Sequence, residues 1–268
     1  MIDIVIPVHG RFDLLEKCLA SIPEACQYFE YKIFVVDDAS PEGIAETKKF
    51  FKNYPDIKVS FNTKNAGFPF TVNKGARKGY GKYIFLLNSD VILEKHSLDV
   101  MLSRMESEEK LGVLGMKLLF PEDVPPQDVG IRPPGTVQHV GISFNINGRP
   151  HHIFIAWDKD NPKVNAIYEV PAITGAAFLT RREIWNKLRG MDEVWGLGTF
   201  EDVDFCFKAR TIGYYVAVDT AAVGTHYVGG SSASVDAKER KGFPIAQNEQ
   251  LFYNRWMGQI HWSDWILL

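Results

Sequence analysis

Short, continuous apolar runs alternate with amphipathic stretches over the first 120 residues of the chain. The runs are typical of strands buried on both faces, and the stretches between them carry apolar residues near helical spacing, such as Phe12, Leu15 and Leu19. Serial β-α-β-α units predict an α/β fold with a mostly parallel sheet and right-handed crossovers. The predicted strands are 3–8, 31–36, 57–61, 82–87 and 112–119, and the predicted helices are 11–22, 41–53, 70–79 and 97–109.

The pattern changes after residue 120. Five prolines between residues 121 and 134 exclude regular structure over most of that stretch, which reads as an insertion or a smaller subdomain. The pattern then predicts β-like pieces over 141–146 and 152–156, an ordered piece over 169–173, a turn over 174–177, helices from about 181 and over 201–212, and a strand over 214–218.

Polar and turn residues follow four of the predicted strands. Because the carboxyl ends of parallel strands meet at one edge of a sheet, we expect these residues to share the crevice where open α/β sheets bind ligands. At that edge the carboxylate of Asp90 could hold a hard divalent cation, although Asn-Ser-Asp alone fits a turn and helix N-cap better. The residues are Pro7, Val8 and His9; Asp37 and Asp38; Asn65 and Gly67; and Asn88, Ser89 and Asp90.

Composition and missing motifs exclude several classes of function. A formal net charge of -3 without a basic run argues against nucleic acid as a partner. Neither Gly-x-Gly-x-x-Gly after the first strand nor a Gly-Lys-Ser/Thr phosphate loop occurs, which argues against nicotinamide, flavin and Walker-type sites. The three cysteines lack metal-like spacing, and no apolar stretch approaches the roughly 20 residues of a membrane span. We therefore expect a cytoplasmic, soluble protein.

A second group of acidic residues lies at Glu201 and Asp202, where a glycine-containing, aromatic loop from Trp195 enters a predicted helix. Acidic residues complement the dipole of a first helical turn, and one of them could equally be a general base toward a substrate hydroxyl. His226 alone fits a structural histidine, but beside a metal its imidazole could be a further ligand.

Seven short motifs occur in an order that resembles the family 2 glycosyltransferases, which are inverting enzymes with a GT-A fold. The match runs from about residue 2 to residue 226 and is weakest between 121 and 169. The motifs are Ile-Val-Ile-Pro-Val-His (4–9), Val-Val-Asp-Asp-Ala-Ser (35–40), Asn-Ala-Gly-Phe (65–68), Leu-Leu-Asn-Ser-Asp (86–90), Thr-Gly-Ala-Ala-Phe (174–178), Phe-Glu-Asp-Val-Asp (200–204) and Gly-Thr-His (224–226).

The resemblance implies a hexosyl- or deoxyhexosyltransferase of polysaccharide biosynthesis, which moves sugar from a UDP- or dTDP-sugar to a hydroxyl of a glycan or lipid-linked acceptor. Residues 1–120 would bind the nucleotide-sugar, 121–235 would form the acceptor-side, catalytic half of the same domain, and 236–268 a helical tail.

The resemblance also implies a role for individual residues. Asp202 would be the catalytic base with Glu201 beside it, Asp90 and His226 would hold Mn²⁺ or Mg²⁺, and Trp195 would stack on a sugar. Asn88 stands where the family has the first aspartate of Asp-x-Asp, so it offers an oxygen but no charge. The implied nucleotide and donor contacts are Pro7, Val8, Asp38 to the base imide (with Asp37 as its substitute), Asn65, Asn73, Asn88, Ser89, Gly175 and Ala176.

Two other functions remain open at this stage. A non-catalytic nucleotide- or carbohydrate-binding relative is favoured by Asn88 and opposed by the retention of Asp90, Asp202 and His226. A nucleotidyltransferase usually has a glycine-rich, basic loop after the first strand, and residues 7–11 are poor in both glycine and lysine.

The C-terminal tryptophans predict a terminal helix that packs onto the domain, with peripheral membrane contact as the alternative. They are Trp256, Trp262 and Trp265.

Overall fold

A computed structural model describes residues 1–123, 133–227, 244–261 and 264 of the chain. These residues form a ten-stranded mixed sheet, a separate two-stranded sheet and seven α-helices, which confirms the predicted α/β class. Within the described part of the chain, no helix has both the length and the apolar character needed to span a bilayer.

The first half of the chain folds as the apolar pattern predicts. Strand β1 pairs in parallel with both β2 and β4, and β2 pairs in parallel with β3, so the carboxyl ends of these four strands lie at one edge. The strands are β1 (Ile2–Val8), β2 (Tyr31–Asp37), β3 (Lys58–Phe61) and β4 (Tyr83–Leu87), and the helices are α1 (Phe12–Ala25), α2 (Gly43–Phe51), α3 (Phe68–Ala76) and α4 (Ser97–Ser107).

The second half adds antiparallel strands to the same sheet. From one edge to the other the strand order is β3-β2-β1-β4-β11-β6-β12-β10, with β5 paired to β12 and β7 paired to β6. The strands are β5 (Val91–Leu93), β6 (Leu111–Leu119), β7 (Val137–His139), β8 (Ile142–Phe144), β9 (Pro150–His152), β10 (Ile167–Glu169), β11 (Ala177–Arg181) and β12 (Tyr215–His226), and the helices are α5 (Arg182–Leu188), α6 (Glu201–Thr211) and α7 (Ile245–Trp256).

The sequence analysis missed the short strands β5 and β7 and, within the centre of the sheet, the longer strand β11. It lies antiparallel between β4 and β6, and all five of its residues are buried. The sequence predicted a turn followed directly by a helix, because β11 runs into α5 with no intervening loop residue to mark its end.

The insertion also differs in detail from its prediction. Strand β8 falls on the first β-like piece, but its partner β9 lies between the two predicted pieces. The second piece forms a turn after His152, in which Phe154 and Ala156 have positive φ. The ordered piece predicted over 169–173 is a strand only at its start, where β10 ends.

Two hydrophobic cores lie on opposite faces of the sheet, because successive residues of a strand point to opposite sides. On β1, Ile4 and Ile6 face the core that includes α1 and α4, and Val5 faces the core that includes α3, α5, α6 and α7. Trp256 is buried in the second core and packs on Phe207, as expected for a terminal helix that covers the domain. Trp262 and Trp265 lie outside the described residues.

Gly67 is required at its position by a close approach of two segments. Its φ is +88°, and a Cβ built on it would lie 2.1 Å from the carbonyl oxygen of Gly196. The next residue, Phe68, donates its backbone N–H to the carbonyl oxygen of Leu197 at 3.2 Å. The turn before α3 therefore contacts the loop before α6, and this contact brings the two halves of the chain together.

We expect Gly67→Ala to destabilise the protein more than Gly43→Ala does. Gly43 has a similar φ of +84° but nothing within 4 Å of an added Cβ, so this control isolates the backbone strain of about 1–2 kcal/mol. The Gly67 variant adds the clash with Gly196. Urea unfolding of both variants measures the difference, and equal free energies of unfolding would show that the close approach does not constrain the fold.

Candidate active site

The carboxyl ends of β1 and β2 meet at the predicted edge. The backbone N–H of Asp38 donates to the carbonyl oxygen of Val8 at 2.7 Å, and His9 Nδ1 donates to the carbonyl oxygen of Asp38 at 2.8 Å. Val8 is buried, whereas Pro7 and His9 keep part of their surface exposed. The convergence that the parallel order predicts is therefore present for these two strands.

Asp37 and Asp38 have different partners. The Asp37 carboxylate accepts hydrogen bonds from the backbone N–H and hydroxyl of Ser40 at 2.8 and 2.6 Å, and from the Thr47 hydroxyl at 2.6 Å. Asp37 is 1% exposed. These contacts fix the turn into α2 and leave Asp37 no path to a base, so the structure does not support it as a substitute for Asp38.

Asp38 shapes the turn before α3. Its Oδ1 accepts from Asn62 Nδ2 at 2.7 Å and from the N–H of Ala66 at 2.8 Å, and its Oδ2 accepts from the N–H of Gly67 at 2.9 Å. An ionised carboxylate oxygen can take two hydrogen bonds. Among the described residues Oδ2 takes one, so Asp38 retains acceptor capacity for a further donor.

Asn65 and Asn73 have different partners and lie in different parts of the structure. Asn65 lies in the turn held by Asp38, and its Oδ1 accepts from the N–H of Gly67 at 3.2 Å. Asn73 is 3% exposed, and its carboxamide bonds both backbone groups of Met191 at 2.8 and 2.9 Å and the carboxylate of Glu193 at 3.1 Å. Asn73 thus anchors the 191–193 segment, and these contacts do not support its expected contact with base or ribose.

The expected metal ligands Asp90 and His226 lie side by side. Asp90 follows β4, and His226 ends β12, which pairs with β5 immediately after Asp90. His226 Nε2 lies 3.3 Å from Asp90 Oδ1. The pairing of β5 with β12 therefore brings together two residues that are far apart in the sequence.

Gln138 orients the imidazole of His226. Gln138 Nε2 donates to the carbonyl oxygen of His226 at 3.1 Å, which turns Gln138 Oε1 toward His226 Nδ1 at 2.8 Å. In a neutral imidazole the proton is then on Nδ1, and Nε2 is an acceptor that faces a carboxylate oxygen. Two acceptors at this distance need a shared proton or a metal cation that both of them bind.

Asn88 lies in the same turn as Asp90. The backbone carbonyl oxygen of Asn88 accepts the N–H of Val91 at 3.1 Å, so Asn88, Ser89 and Asp90 form one turn. Among the described residues, the buried Oδ1 atoms of Asn88 and Asp90 have no hydrogen-bond donor. The residues thus fit a divalent cation, but the described chain contains no cluster of three or more His, Cys, Asp or Glu ligands. Oxygens from a bound diphosphate would have to complete the coordination.

The turn at Gly175 and Ala176 connects this group to the acidic residues. Ala176 accepts the backbone N–H of Asn88 on its carbonyl oxygen at 2.9 Å, and Gly175 donates its N–H to Asp202 Oδ2 at 2.8 Å. A Cβ on Gly175 would lie 3.1 Å from the ring of Phe68, so the backbone here passes close to the turn before α3. The turn formed by Asn88, Ser89 and Asp90 therefore contacts one end of the Gly175–Ala176 segment, and Asp202 contacts the other.

Burial and the negative charge of Asp202 raise the pKa of Glu201 to about 8. Burial also raises the pKa of Asp202, and the N–H groups of Gly175 and Val203, which donate to its two oxygens at 2.8 Å each, oppose that rise. Two adjacent carboxyl groups, one buried and one half-buried, cannot both ionise freely. Because Asp202 accepts two backbone hydrogen bonds, it is the member that carries the charge, while Glu201 keeps its proton at neutral pH.

Trp195 lies inside the protein and not at the site surface. Its side chain is fully buried, stacks on Phe200 with ring centroids 6.2 Å apart, and lies under the guanidinium of Arg255 at 5.4 Å. A fully buried indole offers no face to a sugar, so this arrangement does not support the expected stacking role.

The sequence analysis overlooked Gln138, Asn248 and the pair formed by His139 and His152. His139 Nδ1 lies 2.7 Å from His152 Nδ1, and His139 Nε2 accepts the N–H of Thr174 at 3.4 Å. Gln138 and the two histidines lie in the irregular insertion, and no motif or periodicity marks any of these four residues.

The chain belongs to glycosyl transferase family 2, since the model of that family matches residues 3–189, more than half of the chain. The O-antigen biosynthesis protein RfbC of Myxococcus xanthus is 26% identical over 202 residues, which are 72% of this chain. The chain spans 14% of the length of that protein and 26% of the length of another curated relative.

Solved glycosyltransferase structures share the fold, which confirms the expected GT-A architecture. A mannosyltransferase from Pyrobaculum calidifontis, in complex with GDP-Man and Mn²⁺, superimposes with a TM-score of 0.59 at 17% identity over 85% of this chain and 56% of its own. GalNAc-T7 with UDP, GalNAc and Mn²⁺ superimposes with a TM-score of 0.68 at 14% identity over 84% of this chain and 43% of its own.

Glu201 should make the stability of the protein depend on pH. The unfolded chain releases this proton near pH 4.5, whereas the folded chain holds it up to a pKa of about 8. Between these values the wild type loses stability as pH rises, by up to about 1.4 kcal/mol per pH unit, and Glu201→Gln does not. The free-energy difference between variant and wild type should therefore grow from pH 4.5 to 8 and be constant outside this window.

Thermal and urea unfolding at a series of pH values measures this difference. Glu183→Gln is the matched control, because Glu183 also lies in the first turn of a helix but is exposed. A flat difference for Glu201→Gln would show that Glu201 is ionised in the folded protein.

Replacing Asn88 should change the affinity for Mn²⁺. Asn88→Asp adds a charge to the turn that carries Asp90, and one extra charge at about 4 Å is attractive by a few kcal/mol at an effective dielectric of about 20, so binding should tighten about tenfold or more. Water-proton relaxation measures Mn²⁺ binding directly. Asn53→Asp, an exposed change of the same kind, is the control. Equal affinity in Asn88→Asp and wild type would exclude Asn88 from the metal site.

Proposed function

We propose that this chain is a metal-dependent, inverting glycosyltransferase that moves a sugar from a nucleoside-diphosphate sugar to an acceptor hydroxyl. The Gly175–Ala176 turn carries this proposal, because it bonds Asp202 on one side and Asn88, which shares a turn with Asp90, on the other. A donor bound with its diphosphate near Asp90 and His226 would therefore have its sugar beside Asp202.

Asp202 is the proposed base. Its ionised carboxylate takes the proton from the acceptor hydroxyl as that oxygen attacks the anomeric carbon. The bond from that carbon to the diphosphate oxygen breaks on the opposite face, so the product has inverted anomeric configuration. Glu201 stays protonated, which keeps a second negative charge away from the attacking oxygen.

Asp90, His226 and Asn88 are the proposed ligands of Mn²⁺ or Mg²⁺. When bound, the cation offsets the negative charge of the departing diphosphate as a Lewis acid. The lone pair of His226 Nε2 and the oxygens of Asp90 and Asn88 are the chain's own contribution, and they orient the diphosphate toward the Gly175–Ala176 turn.

Asp38, Asn65, Pro7 and Val8 are the proposed nucleotide contacts. The acceptor capacity left on Asp38 Oδ2 suits the imide N–H of uracil or thymine. We therefore favour a UDP- or dTDP-sugar as donor. For the acceptor we propose a hydroxyl of a glycan or a lipid-linked glycan, in keeping with the name of the Myxococcus xanthus relative.

A non-catalytic binding relative is the second candidate, because Asn88 lowers the charge of the metal site. Metal-dependent hydrolysis of the donor separates the two functions. An enzyme turns over the nucleotide-sugar slowly with water as acceptor, whereas a binding module releases it intact.

Asp202→Asn should reduce transfer at least about 100-fold, the usual contribution of a positioned general base. Nucleotide affinity should change less than threefold, because Asp202 does not face the base or the diphosphate. Initial rates and calorimetric binding measure the two effects, and Asp56→Asn, an exposed aspartate, is the control. Undiminished turnover in Asp202→Asn would remove this residue from the base role.

A further inference from the structure

The loop that leads into α6 has an unusual backbone. Four of the five residues before Glu201 have positive φ, which is ordinary for glycine but rare for threonine and phenylalanine. Such a conformation persists only where the surroundings hold it. The four residues are Gly196 (61°), Gly198 (139°), Thr199 (78°) and Phe200 (70°).

One side chain of α7 makes most of the polar contacts to this loop. Asn248 is 4% exposed, and its Nδ2 lies 3.0 Å from the carbonyl oxygen of Trp195, 2.8 Å from that of Gly198 and 3.2 Å from that of Thr199. The hydroxyl of Thr199 is also 3.0 Å away. The two N–H bonds of one carboxamide thus serve carbonyls from both ends of the turn.

Helix α7 is itself fixed to α6 two residues after the proposed base. Asp204 is fully buried, and its Oδ1 accepts from Arg255 Nη1 and from Trp256 Nε1, at 2.8 Å each. Arg255 Nη1 also bonds Asp192 Oδ2 at 2.9 Å. Asn248, near the start of α7, therefore contacts the loop. Arg255 and Trp256, at the end of α7, contact Asp204 in the first turn of α6. The same helix thus holds both segments in place.

The opposite side of the loop packs against the turn before α3. Leu197 accepts the N–H of Phe68, and Gly196 lies against Gly67, whose N–H is bonded to Asp38. The loop is therefore held between the turn that Asp38 shapes and the carboxamide of Asn248. A loop released on the Asn248 side would let Asp202 move relative to Gly175.

We infer that Asn248 is a positioning residue for the catalytic base: its carboxamide holds the 195–199 backbone so that Asp202 faces the Gly175–Ala176 turn. This inference rests on the proposed function, because it gives Asn248 a role in the reaction through Asp202. Asn248 itself touches no reacting atom.

Asn248→Asp is the sharpest test. The change keeps the shape of the side chain but replaces the N–H donors with an oxygen that faces three carbonyls. Asn254→Asp is the matched control, because Asn254 is exposed on the same helix and, within the part of the chain that the structure describes, its side chain uses only Oδ1, to accept from Gln250. Asn248→Ala serves as the second variant if Asn248→Asp does not fold, since it removes the donors without adding charge.

Three quantities are measured on each folded variant: the exchange rates of backbone amides over 196–204, the Kd for UDP with Mn²⁺, and kcat and KM for metal-dependent turnover of the UDP-sugar that the wild type accepts. We expect exchange over 196–204 to accelerate at least tenfold, kcat to fall at least tenfold and the Kd for UDP to change less than threefold. Asn254→Asp should match the wild type in all three.

Each result decides a separate point. Unchanged exchange over 196–204 would show that Asn248 does not hold the loop, and unchanged kcat with faster exchange would show that the held loop is irrelevant to the base. A loss of kcat accompanied by an equal loss of UDP affinity would indicate a general structural role and overturn the inference. Absence of turnover in the wild type with any nucleotide-sugar would instead refute the proposed function.

Discussion

The hydrogen bond from the Gly175 N–H to Asp202 joins the turn before β11 to the first turn of α6, where the proposed base lies. It exists because β11 inserts antiparallel between β4 and β6, which places the preceding turn at the carboxyl end of β4. The same turn accepts the N–H of Asn88. One inserted strand thus sets the distance between the proposed metal ligands and the proposed base.

Burial and hydrogen bonding limit the number of negative charges that lie close together in the candidate site. Glu201 keeps a proton because it is buried beside Asp202, whose own charge is stabilised by two backbone N–H groups. On the other side of the Gly175 turn, the contacts with Gln138 orient the imidazole of His226 so that its Nε2 lies next to Asp90. That geometry suits a cation, and a diphosphate would complete both its charge and its ligands.

The apolar pattern of the sequence predicted β1 to β4, β6 and the first four helices with bounds within about three residues, because strands buried on both faces have no polar interruptions. The ordered motifs implied that Asp90 and His226 meet, and the pairing of β5 with β12 brings them together. The pattern did not reveal β11, which lacks a boundary before α5. The engagement of Asn73 with Met191, the burial of Trp195 and the contacts of Asn248 depend on tertiary packing, which neither periodicity nor a motif records.

Calorimetric titration of UDP, dTDP and GDP, each with and without Mn²⁺, tests most directly whether the edge formed by β1, β2 and β4 is a metal-dependent nucleotide site. The account predicts that UDP or dTDP binds in the presence of Mn²⁺, that GDP binds more weakly, and that affinity falls at least tenfold when the metal is removed. Failure of all three nucleotides to bind, or binding that does not respond to the metal, would contradict it.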